Sequence, residues 1–247
     1  MFKNILVISD HVLMCKKFLE IVKAKKISIE NISFAISPFS KKENFQISEE
    51  VEILVLDLKN KDDVEIIKKN YDLVFSIHCK QIFPADLINE VKCINVHPGY
   101  NPINRGWFPQ VFSILNKVQT GATIHEIDGE IDHGGIIARE FVNKEIFDTS
   151  KSLYTKIVEK EIELLDAWLE KIINNEYSVT LPGEEGNLYF KKDYKKLLEI
   201  DLKEKISAGD FIDRLRALSH EGFDNAYFLD PGSGKKIYVE IRLKPGQ

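Results

Sequence analysis

The chain has 247 residues, 44% of them hydrophobic, which suits one large domain or one domain with a small appendage. A net charge of −5 gives no general reason to expect nucleic acid or an anionic membrane as partner, and no apolar run approaches the ~20 residues that cross a bilayer. The three cysteines, Cys15, Cys79 and Cys93, share no C-x-x-C spacing, so reduced thiols in a cytoplasmic protein are expected, without a disulfide framework or a zinc site.

In chain order, Met1 to Ser9 reads as a strand, with a nearly continuous apolar run over Asn4 to Ile8, and not as a signal peptide. Val12, Cys15, Phe18, Leu19 and Val22 follow at helical spacing. Ile32 to Ser37, Val51 to Leu56, Leu73 to Ile77 and Lys92 to Val96 are further strand candidates, with a short helix predicted over Lys61 to Lys69. Strands alternating with helices predict an α/β fold with a largely parallel sheet covered on both faces. Ligands of such sheets sit beyond the carboxyl ends of the strands, here after Ile77 and Val96. No G-x-G-x-x-G follows the first strand, so a dinucleotide fingerprint is absent. A helix is predicted over Trp107 to Asn116, and strands over Gly121 to Ile127 and Ile136 to Val142. Asp148-Thr149-Ser150 offers caps for a long helix carrying Leu153, Ile157, Leu164, Leu165, Trp168, Leu169 and Ile172 on one side. Pro182-Gly183-Glu184-Glu185-Gly186 is a turn-rich break, which divides the chain into 1–182 and a small α+β unit over 183–247. That unit should hold a strand near Leu188, a helix over Phe211 to Leu218, and strands over Ala226 to Leu229 and Ile237 to Leu243 joined by a Pro231 to Gly234 turn.

Two segments carry chemistry. In Cys93-Ile94-Asn95-Val96-His97-Pro98-Gly99, Asn95 and His97 are two apart on a strand and leave one face, and Pro98 should end the ladder. About thirty residues on, Thr120-Gly121-Ala122-Thr123-Ile124-His125 precedes Asp128 and then Asp132 in a Gly-rich loop. Each alone is open to a bland reading, as loop hydrogen bonds or a turn-forming Asp. Together, in order and at this separation, the Asn-x-His-Pro, Thr-Gly-x-Thr-x-His and Asp-x-Gly-x-Ile elements resemble the core of the folate-dependent formyltransferases, from about Leu73 to Glu140.

The resemblance implies a formyltransferase-type Rossmann-like fold and 10-formyltetrahydrofolate as cosubstrate. No metal is expected, because Asn95, His97 and Asp132 include only one good zinc ligand and no His/Cys cluster surrounds them. The resemblance places the family's catalytic Asn, His and Asp on Asn95, His97 and Asp132. The residue types suit an amine attacking a formyl carbon: donors for the oxyanion, and a carboxylate that orients the imidazole and accepts the proton. It also implies a folate site at His78, Lys80, Gln81, Ile82, Phe83 and Asp128, where backbone groups of the loop bond the pterin and Ile82 and Phe83 are the walls. The stretch Gly99 to Trp107 is similar to sugar-nucleotide N-formyltransferases, in particular those acting on dTDP-4-amino-4,6-dideoxyglucose for surface polysaccharide synthesis. That likeness implies acceptor contacts at Asn104, Arg105, Gly106 and Trp107, with Tyr189, Lys191 and Arg214 toward the nucleotide, and a homodimer. Tyr189 or Phe223 is a candidate to stack on the base. A tRNA acceptor is disfavoured by the short tail and acidic balance. A glycinamide ribonucleotide enzyme is expected to end near the long helix, and a formyltetrahydrofolate hydrolase to carry an extra domain ahead of the first strand.

Overall fold

The computed structural model describes residues 1–183 and 185–246; Glu184, part of the turn-rich break, lies outside the described residues, as does Gln247. The strands are β1 (Asn4–Ser9), β2 (Asn31–Ile36), β3 (Ile53–Val55), β4 (Leu73–Ile77), β5 (Lys92–His97), β6 (Arg105–Gly106), β7 (Thr120–Glu126), β8 (Ile136–Val142), β9 (Leu188–Tyr189), β10 (Tyr227–Leu229) and β11 (Lys236–Tyr238). The helices are α1 (Val12–Lys25), α2 (Lys61–Asn70), α3 (Ala85–Glu90), α4 (Pro109–Leu115), α5 (Ser150–Ile173), α6 (Lys191–Lys195) and α7 (Ala208–Leu218).

Seven strands form one sheet in the order β3-β2-β1-β4-β5-β7-β8. The first five run parallel, while β7 and β8 join antiparallel, so the predicted largely parallel, helix-flanked sheet is the observed one. Residues alternate between its faces. Val7, Phe34, Phe75, Ile94 and Val96 enter the core under α1 and α5, while Leu6, Ala35, Val74 and Cys93 enter the core under α2 and α3. On α1, Met14, Phe18 and Ile21 supply the apolar stripe, and Phe18 meets the edges of Phe34 and Phe75. Thr149, inside the predicted cap triplet, closes a capping box with Ser152 at the start of α5. All three thiols are pushed up to about 12 by burial, so none serves as a thiolate. No helix among the described residues is long and apolar enough to cross a membrane.

Three elements differ from expectation. The helix predicted from Trp107 begins at Pro109, because Phe108 adopts a left-handed φ of 54° and Pro109 takes the first helical position. The strands predicted over Val51 to Leu56 and Ile237 to Leu243 shrink to β3 and β11. The chain past Pro182 does not leave the catalytic half at once. β9 pairs in parallel with β6, and Asn187 and Tyr189 accept backbone hydrogen bonds from Arg105 and Trp107. Only then do α7 and β10 pack with α4 and the start of α5 into a third core.

Candidate active site

The carboxyl ends of β1, β4 and β5 lie side by side, and β7 returns against β5. The β5–β7 register sets Asn95 opposite His125 and His97 opposite Thr123. Asn95, His97, Thr123 and His125 therefore share one face, and Asp132 closes over them from the β7–β8 loop. Asp132 takes a left-handed φ of 48°, which Asp tolerates better than most residues.

Both carboxylate oxygens of Asp132 are engaged. Oδ1 accepts from Asn95 Nδ2 at 3.0 Å and faces His125 Nε2 at 3.6 Å. Oδ2 accepts the Gly106 backbone N–H at 2.9 Å and faces His97 Nδ1 at 3.5 Å. Burial alone pushes this carboxyl up. The neighbouring His97 and His125, with the hydrogen bonds from His125 and Gly106, outweigh it and hold the group well below the usual carboxylate range. The His97 ring is fixed from behind, its Nε2 lying 2.8 Å from the Asn104 carbonyl. Gly99 permits that approach, since a Cβ there would sit 2.5 Å from His97 Nε2 and 2.6 Å from the Asn104 oxygen. His125 Nδ1 lies 2.7 Å from the Glu126 carbonyl, which directs Nε2 toward Asn95 at 3.2 Å.

The structure thus brings Asn95, His97 and Asp132 together, and adds His125 and Thr123. The alternation argument applied to Asn95 and His97 would have found these two on β7. It also redefines the stretch after His97. Asn104 is buried, its Oδ1 accepting the Tyr100 N–H. Arg105 is buried with its guanidinium spent on the Ile131 and Glu185 carbonyls and on Glu130 and Glu185 carboxylates. These residues, expected to touch the acceptor, hold the catalytic cluster instead, because the β6–β9 pairing turns them inward. Trp107 is partly exposed, with Lys191 Nζ 5.2 Å from its ring centre.

The loop after β4 is corrected more extensively. Ile82 is 76% exposed, whereas Phe83 is buried in the α2–α3 core and packs there instead of serving as a pocket wall. The Gln81 amide bridges Leu58 N and Leu56 O. Lys80 donates its backbone N–H to Asp10 and reaches Ser40 with its ammonium. His78 takes a left-handed φ of 52°, and its ring turns to α5, where Nε2 meets Glu161 Oε2 at 2.7 Å and Nδ1 meets the Tyr154 hydroxyl at 3.0 Å. Both ring nitrogens are therefore taken, which leaves the backbone groups of this loop for the expected pterin contacts. Glu161 is fully buried, and its Oε1 has no partner among the described residues. Asp128 orders its own loop through the Glu130 N–H and His133.

The expected nucleotide contacts of the C-terminal unit fare no better. Arg214 is spent on the Leu197 and Glu199 carbonyls and on Glu204. It lines a cleft of about 540 Å³ together with Asp201, Glu204, Asp210 and Asp213, the wrong charge for a diphosphate. Tyr189 stacks on Phe112 at 3.8 Å, and its hydroxyl accepts from Asn116.

The family profile described as formyl transferase matches residues 3–169. The chain belongs to this family. A second profile, the N-formyltransferase dimerization C-terminal domain, matches residues 193–245. The dTDP-4-amino-4,6-dideoxyglucose formyltransferase of Mycobacterium tuberculosis is 50% identical over 181 residues, 73% of this chain and 76% of that protein. Among solved structures, a 4-N formyltransferase from Francisella tularensis aligns over 98% of both chains at 40% identity with a TM-score of 0.91. A sugar N-formyltransferase from a Shewanella species aligns over 99% of both at 38% identity with a TM-score of 0.93.

Proposed function

We propose that this chain transfers the formyl group of 10-formyltetrahydrofolate to the amine of a dTDP-amino-dideoxy sugar, dTDP-4-amino-4,6-dideoxyglucose above all, in the cytoplasm. The observation that carries the reading is the Asp132 carboxylate, kept ionised at the end of β5 between Asn95, His97 and His125. The family and its sugar-modifying relatives supply the substrate class. The product would enter surface polysaccharide synthesis.

In the reaction the sugar amine attacks the formyl carbon and a C–N bond forms. The carbonyl oxygen becomes an oxyanion, which Asn95 and a protonated His97 stabilise by donation. Asp132 takes the amine's proton, directly or through one water. The folate nitrogen then leaves with a proton, giving the formamide and tetrahydrofolate. In the resting geometry Asn95 Nδ2 lies against Asp132 and His125, and His97 Nε2 against Asn104. The arriving amine and oxyanion therefore exchange with contacts already present, as donors in ligand-free sites commonly do.

The reading includes a homodimer. The C-terminal match is to a dimerization domain, and β10–β11 is a two-stranded hairpin exposing Ile237 and Tyr238, too small to be stable without further cover. The test of function is an acceptor screen with 10-formyltetrahydrofolate, following release of tetrahydrofolate. Turnover is expected with the dTDP-4-amino sugar. Turnover with methionyl-tRNA, or without any amine, would overturn the assignment.

A further inference from the structure

The buried residues of α5 include Leu153, Ile157, Leu164 and Leu165, all apolar, and among them Glu161, which is not. Glu161 is fully buried, its Oε2 lies 2.7 Å from His78 Nε2, and its Oε1 has no partner among the described residues. A buried carboxylate with one oxygen unpaired costs stability, and apolar side chains of similar volume commonly replace such a buried pair without loss. Packing alone therefore gives no reason for an acid at this position. What the acid holds does.

The β4–β5 register pairs Ile77 with Val96, so the next residues, His78 and His97, are neighbours across the two strands. Continued as extended chain, His78 would present its ring on the face that carries Asn95 and His97. The left-handed φ of 52° reverses this and sends the ring to the α5 side. Two groups grip it there. A carboxylate only accepts, so the Nε2–H of the neutral ring donates to Glu161, and Nδ1 accepts from the Tyr154 hydroxyl at 3.0 Å. The bond to the carboxylate is the stronger of the two. Beyond His78 the loop is anchored separately. The Lys80 N–H donates to Asp10 Oδ2 at 2.9 Å, and Asp10 Oδ1 accepts the Ser37 N–H at 3.1 Å and the Ser37 hydroxyl at 2.7 Å. The Gln81 amide bridges Leu58 N and Leu56 O. The course of the chain between β4 and these anchors is thus set at His78, by the grip of α5 on its ring.

We propose that Glu161 is a positioning residue for the folate cosubstrate: it draws the His78 ring behind the sheet, fixes the turn whose backbone meets the pterin, and keeps an imidazole off the face where the reaction takes place. The proposal rests on the folate reading above and deepens it. Released from Glu161, the ring turns to the His97 side in part of the molecules, and folate binds only the fraction that retains the turn.

The test uses the full-length protein, with tetrahydrofolate as titrant and 10-formyltetrahydrofolate and the dTDP-4-amino sugar as substrates. Glu161→Ala is expected to weaken tetrahydrofolate about tenfold, as when about one molecule in ten retains the turn. KM for 10-formyltetrahydrofolate should rise similarly, with kcat and the KM for the sugar nucleotide within about threefold. Glu161→Gln keeps an acceptor for the Nε2–H and should lie between Glu161→Ala and the wild type. At His78 the expected order follows backbone freedom. Glycine takes a left-handed φ without strain and alanine does not, so His78→Gly should bind tetrahydrofolate about tenfold tighter than His78→Ala. With no ring left to steer, adding Glu161→Ala to His78→Gly should change the affinity less than about threefold. That double variant removes ring and acid together, and with the His78 pair it decides the matter even where Glu161→Ala alone unfolds. Equal tetrahydrofolate affinity in His78→Gly and His78→Ala, whether lost or kept, overturns the proposal. So does unchanged affinity in a folded Glu161→Ala, or a rise in both KM values together. Failure of the wild-type protein to bind tetrahydrofolate overturns the folate reading as well.

Discussion

Asp132 and Glu161 both stand beside histidines, one on each side of the sheet's carboxyl edge, and they are built to opposite ends. Asp132 lies at the mouth of its loop with donors on both oxygens, from Asn95 and from Gly106. Glu161 lies in the middle of α5, fully buried, with one oxygen on His78 and the other without a partner among the described residues. The first is held ionised and within reach of a reactant, as a base requires. The second is sealed away and can act only through the ring it grips. Both are carboxylates set against imidazoles. Access and the number of donors separate a group that performs chemistry from one that fixes geometry.

The sharpest break of this comparison is Asp132→Asn. Asn keeps the volume and tolerates the left-handed φ, so the fold and both binding steps should survive while turnover falls about a thousandfold or more. Turnover within a fewfold of wild type, on a preparation with normal stability, would show that Asp132 is only a loop residue. His97→Ala and Asn95→Ala come next, with turnover reduced about a hundredfold and folate affinity nearly unchanged. Direct titration of folate alongside steady-state kinetics checks this pair.

On the other side, Glu161→Ala should act on stability rather than chemistry. Removing one member of a buried pair should lower the unfolding free energy by ~3–5 kcal/mol in urea titrations, with kcat reduced less than about tenfold. A collapse of kcat without loss of stability would place Glu161 in the reaction. A smaller effect concerns His11. Burial first, then the neighbouring His78 and Lys151, hold its pKa down to about 4. The folded state therefore keeps this ring neutral where the unfolded chain, near 6.5, would charge it. The resulting stabilisation is complete above about pH 6.5 and is lost as pH falls toward 4. His11→Asn retains a capping side chain and removes the titration. Its stability should accordingly fall less than that of the wild type between pH 7 and pH 5, as read by urea midpoints. The smallest expected effect is that of a chelator, which should leave activity unchanged. Glu130, His133 and Glu185 approach one another as metal ligands might, yet Arg105 already pairs with both carboxylates. Inactivation by chelator, reversed by zinc, would count against this.

What could be read from the residues follows a physical line. The sheet was legible because its strands are short apolar runs between turn signals, and Asn95 and His97 because a strand's period is two. The same period marks Thr123 and His125 within the Thr-Gly-x-Thr-x-His element. The β4 loop was not legible. Whether His78 faces the folate or α5 depends on the sign of one φ, and the residue type does not dictate that sign. Gln81 and Phe83 have side chains suited to a pocket and used by the core. The part played by Arg105 and Gly106 depends on a pairing with residues some eighty positions later, and no local pattern announces it.

That pairing sets a rule for cutting and grafting. The Gly106 N–H that helps keep Asp132 charged is held in place by β9, a segment arriving after the turn-rich break. A shortened protein ending at Pro182 would retain every catalytic side chain and lose the splint behind one of them. Exchange of C-terminal units between relatives should therefore be made beyond Tyr189. A chimera joined there carries its proton acceptor intact, whereas one joined at the break inherits a site whose charge depends on how well a foreign strand fits.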